Sequence, residues 1–259
     1  MFDLSPVPVP DLTGRTILVT GASQGIGAVL AGMLAANGAN VFAGVKQEVS
    51  RESANMLSAT TVLELDVTRT DQVQNAISTV SQTSGKLDVL VNNAGTIAPI
   101  GLVETIRPED MLATFDTNVV GILRLIRAAL PMLEQSKGTV LNAGTGAATT
   151  AMKGWTPYCT TKASARMLTL MCELELADRG IKNFFLGIPP TDTSMQEKIR
   201  ASGLNPISRI SQHDLVRPEV PASVMAFLCG SEACRSMPTL LDVRDDRIRK
   251  MMVSDNDSK

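Results

Sequence analysis

The feature that most constrains this chain is an alternation. Short apolar, β-branched runs recur between longer segments whose apolar residues follow helical spacing. Residues 15–20, 40–45, 61–65, 87–91, 139–142, 181–186 and 239–243 read as strands. Residues 26–36, 71–80, 109–133, 156–179 and 218–228 read as helices, with Asn37-Gly38 ending the first and Gly180 the fourth. Strands separated by helices of ten or more residues cannot pair as hairpins. They predict βαβ units and an α/β fold: a doubly wound parallel sheet with helices on both faces. No linker interrupts the pattern, so residues 14–243 are expected to form a single domain. A Pro-rich extended arm (residues 1–13) precedes it, and a polar tail (244–259) follows.

Composition removes several function classes. Lys and Arg total 24 against 26 Asp and Glu, a net charge of −2, so no basic excess exists to neutralise nucleic-acid phosphates. The cysteines (159, 172, 229, 234) form no CxxC, and His213 is the only histidine, which argues against a metal site. Reduced thiols in a cytoplasmic protein are expected. The start, MFDLSPVPVP, carries Asp3 and no cationic cluster, unlike a signal peptide. The longest apolar stretch, 119–133, is broken by Arg124 and Arg127, so no membrane span is expected.

The first strand runs into Gly21-Ala22-Ser23-Gln24-Gly25-Ile26-Gly27 and then a helix. Two motifs overlap there. Gly21 to Gly25 matches G-x-S-x-G, a hydrolase nucleophile elbow, but such an elbow follows several strands and borrows its oxyanion hole from an earlier loop. Only 20 residues precede Gly21, many of them the Pro-rich arm. The other reading is a dinucleotide turn. There Gly21 allows the tight bend, Gly25 lets the backbone approach phosphate and Gly27 lets the helix lie close on the sheet.

Further residues fall in a fixed order: Asp66-Val67 after the third strand, Asn92-Asn93-Ala94-Gly95 after the fourth, Asn118 in the first long helix, and Tyr158-Cys159-Thr160-Thr161-Lys162 opening the second. This set resembles the classical short-chain dehydrogenase/reductase family over residues 14–243. The stretch 154–159, with 192–196, looks more like the benzil- and sepiapterin-reductase-like members. The resemblance implies a Rossmann fold, a nicotinamide cofactor and hydride exchange with the carbonyl or secondary alcohol of a small apolar molecule. It implies cofactor contacts from Gly21, Ser23, Gly25, Ile26, Gly27, Asp66 (adenine side), Asn93, Tyr158, Lys162, Thr191 and Thr193. It also implies that Asn118 helps order water toward the lysine, and that the long helices pair subunits into a homodimer or homotetramer. Leu112, Ile122, Leu130, Met167, Leu170 and Leu174 offer the apolar surface for that pairing.

The chemistry can be read beside the resemblance. Tyr158 is the only tyrosine, and Lys162, four residues on, shares its helical face. A free phenol, with a pKa near 10, is a poor acid–base group at neutral pH, and a nearby ammonium is expected to lower that value. Tyr158 can then exchange a proton with a substrate oxygen. Thr145, 13 residues earlier and standing where the family usually has serine, can hold that oxygen. At the end of the second strand Val45 occupies the position of the acid that reads ribose hydroxyls in NAD enzymes, and Lys46 follows. NADP is therefore favoured, with NAD possible. Trp155, Ile97, Met195 and Ile199 are candidates for an apolar substrate pocket.

Two departures cluster at the nicotinamide end. Pro189-Pro190 replaces the family's Pro-Gly, so that loop must take another path, and Leu241-Asp242-Val243-Arg244 lacks the usual diglycine. Such changes leave open a non-catalytic nucleotide-binding protein that acts through a partner surface. Retention of both Tyr158 and Lys162 argues for the enzyme.

Overall fold

The computed structural model describes residues 4–46, 49–230, 232–246 and 248–250. Its strands are β1 (Thr16–Thr20), β2 (Asn40–Val45), β3 (Thr61–Glu64), β4 (Val89–Asn92), β5 (Thr139–Thr145), β6 (Lys182–Ile188) and β7 (Leu240–Asp242). They form one parallel sheet in the order β3-β2-β1-β4-β5-β6-β7. The helices are α1 (Gly25–Ala36), α2 (Arg51–Met56), α3 (Thr70–Ser84), α4 (Pro108–Phe115), α5 (Gly121–Ser136), α6 (Thr156–Leu176), α7 (Ser194–Ser202) and α8 (Glu219–Leu228).

The mainly apolar character of the central strands follows from burial on both faces. In β1, Ile17 and Val19 join a core under α1 and α8, while Leu18 joins a second core under α3, α5 and α6. The chain order reverses between β1 and β4. Their C-terminal ends open a crevice there, the place where ligands bind in open α/β sheets.

The pattern-based reading located every strand. It missed two short helices, α2 and α7. Ser50 caps α2 by accepting a hydrogen bond from the Ser53 amide at 3.2 Å. α7 ends at Gly203 with φ +62°. The expected helix 109–133 begins at Pro108 and continues to Ser136, passing through a π-helical turn, Asp116–Val120, that separates α4 from α5.

The arm is anchored. Val7 and Leu12 are buried in the α1/α8 core, and the Val7 amide donates to Ser223 Oγ at 2.9 Å. Ile248 of the predicted tail packs into the same core. Residues 1–3, 247 and 251–259 of the arm and tail lie outside the described residues. Among the described residues no helix is long and apolar enough to cross a membrane.

Candidate active site

The glycine turn joins β1 to α1 at the crevice. Gly21 has φ +65°, and a Cβ there would lie 2.8 Å from Ala94 Cα. A Cβ on Gly27 would lie 2.2 Å from the Gly21 carbonyl oxygen, so the helix can approach the turn only without a side chain. Asn93 braces this contact: its Nδ2 donates to the carbonyls of Thr20 and Gly21, both at 3.1 Å. Gln24, before α1, makes no side-chain cap, and the first turn carries no acid. The first amides of α1 are thus left for an anionic ligand. Gly21, Ser23, Gly25 and Ile26 line a cleft of about 690 Å³ that extends to Lys46 and Asp66. An uncapped helix N-terminus against a glycine-rich turn fits a dinucleotide pyrophosphate.

Lys46 and Asp66 both line this cleft. The sequence predicts a phosphate beside Lys46 and adenine beside Asp66. In the structure they pair with each other at 2.8 Å. Partial burial opposes ionisation of Asp66, but hydrogen bonds from Lys46 and from the Thr68 amide and hydroxyl outweigh it and hold its pKa below the ordinary value. The Lys46 side chain is 65% exposed. An ion pair this open contributes only about 0–1 kcal/mol and leaves the lysine able to change partners.

A second cavity, of about 360 Å³, adjoins the cleft and shares Ile26, Asn93, Gly95, Thr193 and Met195 with it. The end of β5 and the first two turns of α6 meet on its wall, bringing together Thr145, Tyr158 and Lys162. Lys162 is buried, and its Nζ donates to the Ala143 carbonyl at 2.8 Å. It lies 5.9 Å from the centre of the Tyr158 ring. Burial pushes the Tyr158 phenol up to about 12, against the opposing effect of the Thr145 hydroxyl. Burial also brings Lys162 down to about 8. Burial thus raises the phenol's pKa where the sequence predicts a lowering. Desolvation dominates, and the ammonium is turned to a backbone oxygen rather than to the phenol. Trp155 packs edge-on against Tyr158, with ring centres 5.6 Å apart.

Asn118 is buried in the π-helical turn. Its Oδ1 accepts from the Thr96 amide at 2.8 Å, and its Nδ2 donates to Thr96 O (2.8 Å) and Thr161 Oγ1 (3.0 Å). These bonds tie the loop after β4 to α6. A Cβ on Gly95 would lie 3.3 Å from Asn118 Oδ1 and 3.7 Å from Lys162 Nζ, so both side chains converge on one glycine. π-helical turns concentrate at functional sites because the inserted residue redirects a side chain.

The loop carrying Pro189 and Pro190 is held by a backbone exchange. Val216 N donates to Pro190 O (3.0 Å), and Asp192 N donates to Val216 O (2.9 Å). Thr191 turns its hydroxyl back to Pro189 O at 2.8 Å, and Thr193 opens α7 over both cavities. Trp155, Met195 and Ile199 line the inner cavity, and Ile97 packs with them in one buried cluster. Sequence reasoning missed Met152, Gln196 and Arg244, which also line this cavity. Thr193 followed three residues later by Gln196, then Gly203, was a signal for α7. No local signal pointed to Arg244.

A parallel sheet whose switch point joins a phosphate-ready glycine turn to a buried Tyr–Lys pair defines a nicotinamide-dependent oxidoreductase. The chain belongs to the short-chain dehydrogenase/reductase family: the family model for short chain dehydrogenase matches residues 15–203. It is 31% identical over 236 residues (86% of this chain, 93% of the relative) to the 3-oxoacyl-(acyl-carrier-protein) reductase FabG of Thermotoga maritima. It is 35% identical over 188 residues (71% and 81%) to an uncharacterized oxidoreductase of Staphylococcus aureus strain MW2. A short-chain dehydrogenase/reductase from Saccharomyces cerevisiae shares the fold with a TM-score of 0.82 at 24% identity, covering 91% of this chain and 98% of that one. A short chain dehydrogenase from Burkholderia cenocepacia, solved in complex with NADP, superposes with a TM-score of 0.77 at 28% identity, covering 90% and 97%.

Proposed function

We propose that the protein is an NADP-dependent carbonyl reductase acting on a small, largely apolar carbonyl compound, with the alcohol as product. The observation that carries this reading is the convergence of Tyr158, Lys162 and Thr145 on a cavity continuous with the glycine-turn cleft. The cleft residues Gly21, Ser23, Gly25, Ile26, Lys46, Asp66 and Asn93 would hold the adenine and pyrophosphate side of the cofactor, and Thr191 and Thr193 the nicotinamide side. When bound, the cofactor supplies a hydride to the carbonyl carbon.

The chain's own residues supply the proton and the geometry. Tyr158, with a phenol at about 12, is protonated at neutral pH and so is set to donate to the carbonyl oxygen. Thr145 donates a hydrogen bond to the same oxygen. Lys162 places a positive charge behind the tyrosine, favouring the phenolate as the proton leaves, and Asn118 fixes the loop and helix that hold it. The lack of a carboxylate at Val45, the cation at Lys46 and the NADP-bound Burkholderia relative support NADP over NAD.

A cytoplasmic location agrees with the thiols of Cys159, Cys172 and Cys229. A homodimer or homotetramer is supported by Leu112, Leu123, Met167, Met171 and Leu174, which α4, α5 and α6 expose to solvent. Ile122 belongs instead to the protomer's own core.

The test is NADPH consumption against a panel of ketones, aldehydes and diketones. Tyr158→Phe is expected to cut turnover by about 10²–10⁴. Trp155, the only tryptophan, is expected to be quenched by NADPH equally in both proteins. Quenching without turnover on any carbonyl, and without an effect of Tyr158→Phe, would replace the enzyme with a nucleotide-binding protein.

A further inference from the structure

Arg244 reaches the inner cavity from the end of β7. Its guanidinium is held as a fork: Nε donates to Asp242 Oδ1 at 2.7 Å and Nη2 to Asp242 Oδ2 at 2.6 Å. Asp242 stands in register with Gly187 of β6, and a Cβ at Gly187 would lie 2.6 Å from Asp242 Oδ2. A glycine there is what lets the carboxylate seat. The carboxylate lies outside the cavity wall, whereas Arg244 forms part of it. The same Nη2 would come within 3.8 Å of a Cβ on Gly146, the residue after Thr145, so the guanidinium stands beside the end of β5.

The polarity of the wall gives this fork its meaning. Of all the residues lining the inner cavity, only Lys162 and Arg244 carry charge, and both are cations. Lys162 is buried and satisfied by Ala143 O. Arg244 is 42% exposed and has N–H groups beyond the two that Asp242 takes. A guanidinium pinned on one edge by a carboxylate presents its other edge in a fixed direction, at little further cost in side-chain entropy.

We infer that Arg244 is a specificity-determining residue that takes the carboxylate of the substrate, so that the substrate is an oxo acid with an apolar body. Asp242 is a positioning residue that aims the fork and tempers its charge. The inference rests on the reductase reading and names its substrate class. The reaction stays balanced: hydride to the carbonyl carbon and a proton from Tyr158 to its oxygen, with the carboxylate unchanged.

The experiment compares an aromatic 2-oxo acid with its methyl ester, using wild type, Arg244→Gln, Arg244→Lys and Asp242→Asn. NADPH turnover gives KM and kcat, and Trp155 fluorescence of the NADPH-loaded protein gives binding whether or not turnover occurs. Wild type is expected to favour the acid over the ester by about tenfold, chiefly in KM, as for a charged hydrogen bond at a partly exposed site. Arg244→Gln is expected to bring that ratio to about one, and Arg244→Lys to keep part of it. Asp242→Asn is expected to widen it, because the guanidinium loses its competing anion.

Turnover of both compounds with equal KM, unchanged by Arg244→Gln, would overturn the inference and leave the reductase standing. An acid preference in fluorescence that Arg244→Gln erases, with no turnover on any carbonyl, would keep the anion site and remove the reductase. Two further outcomes also overturn the inference. One is loss of both compounds together in Arg244→Gln and Asp242→Asn, the mark of a structural ion pair. The other is weakened NADPH binding with the acid preference intact, which would assign Arg244 to the cofactor.

Discussion

Replacing Lys162 by methionine is expected to stabilise the cofactor-free protein while disabling it. The ammonium is buried, and burial brings its pKa from 10.5 to about 8. A drop of that size corresponds to about 3 kcal/mol held against the folded state wherever the lysine is charged in both states. Methionine fills nearly the same volume without charge and gives up one hydrogen bond, to Ala143 O, worth about 1 kcal/mol. The net gain near neutral pH is about 2 kcal/mol.

The pH dependence supplies the sign. Because the folded pKa lies below the unfolded one, the folded protein releases this proton first. Wild-type stability therefore carries the full penalty below about pH 8 and sheds it as pH rises to 10.5. The raised phenol of Tyr158 acts oppositely above about pH 10, but it is present in both proteins and cancels in the comparison. Equilibrium denaturation at about pH 7 and about pH 9.5 reads the difference, and the gap is expected to narrow at the higher pH. Turnover is expected to fall at least about 10²-fold in the variant. A methionine variant less stable than wild type near pH 7, or a gap independent of pH, would refute the argument that desolvation governs this lysine.

Other outcomes follow from the same geometry. Thr145→Ala removes one donor to the carbonyl oxygen and is expected to cost up to about 10²–10³ in turnover, while Thr145→Ser keeps the hydroxyl and is expected to retain activity; steady-state kinetics on one ketone decides both. Lys46→Met is expected to weaken NADPH binding on the order of tenfold and NADH binding little, measured by fluorescence titration; equal loss for both would show that Lys46 does not read the phosphate. The exposed residues of α4, α5 and α6 predict a mass by light scattering of at least twice 27.5 kDa at micromolar concentration.

Much of this protein is legible without coordinates, because the relevant physics is local. A strand buried on both faces favours apolar residues through its middle, and β1 and β2 announce themselves that way. Gly21 and Gly27 are demanded by backbone approaches inside one strand–turn–helix unit, so their spacing alone predicts the turn. Tyr158 and Lys162 share a helical face by periodicity.

What the chain order cannot convey is set by contacts between distant segments. Asn118 sits in a π-helical turn bonded to Thr96 and Thr161, so the bulge in an otherwise regular helix is invisible to a helical repeat. Whether Lys46 meets Asp66 depends on how the ends of β2 and β3 are set side by side. The direction in which the Tyr158 phenol shifts is not legible in the sequence, which shows its proximity to Lys162 but not the desolvation of both, and burial outweighs proximity here. Arg244 lies far along the chain from Tyr158. It reaches the cavity only because β7 pairs with β6 and β6 with β5, an order fixed by the packing of the whole sheet and written in no single segment.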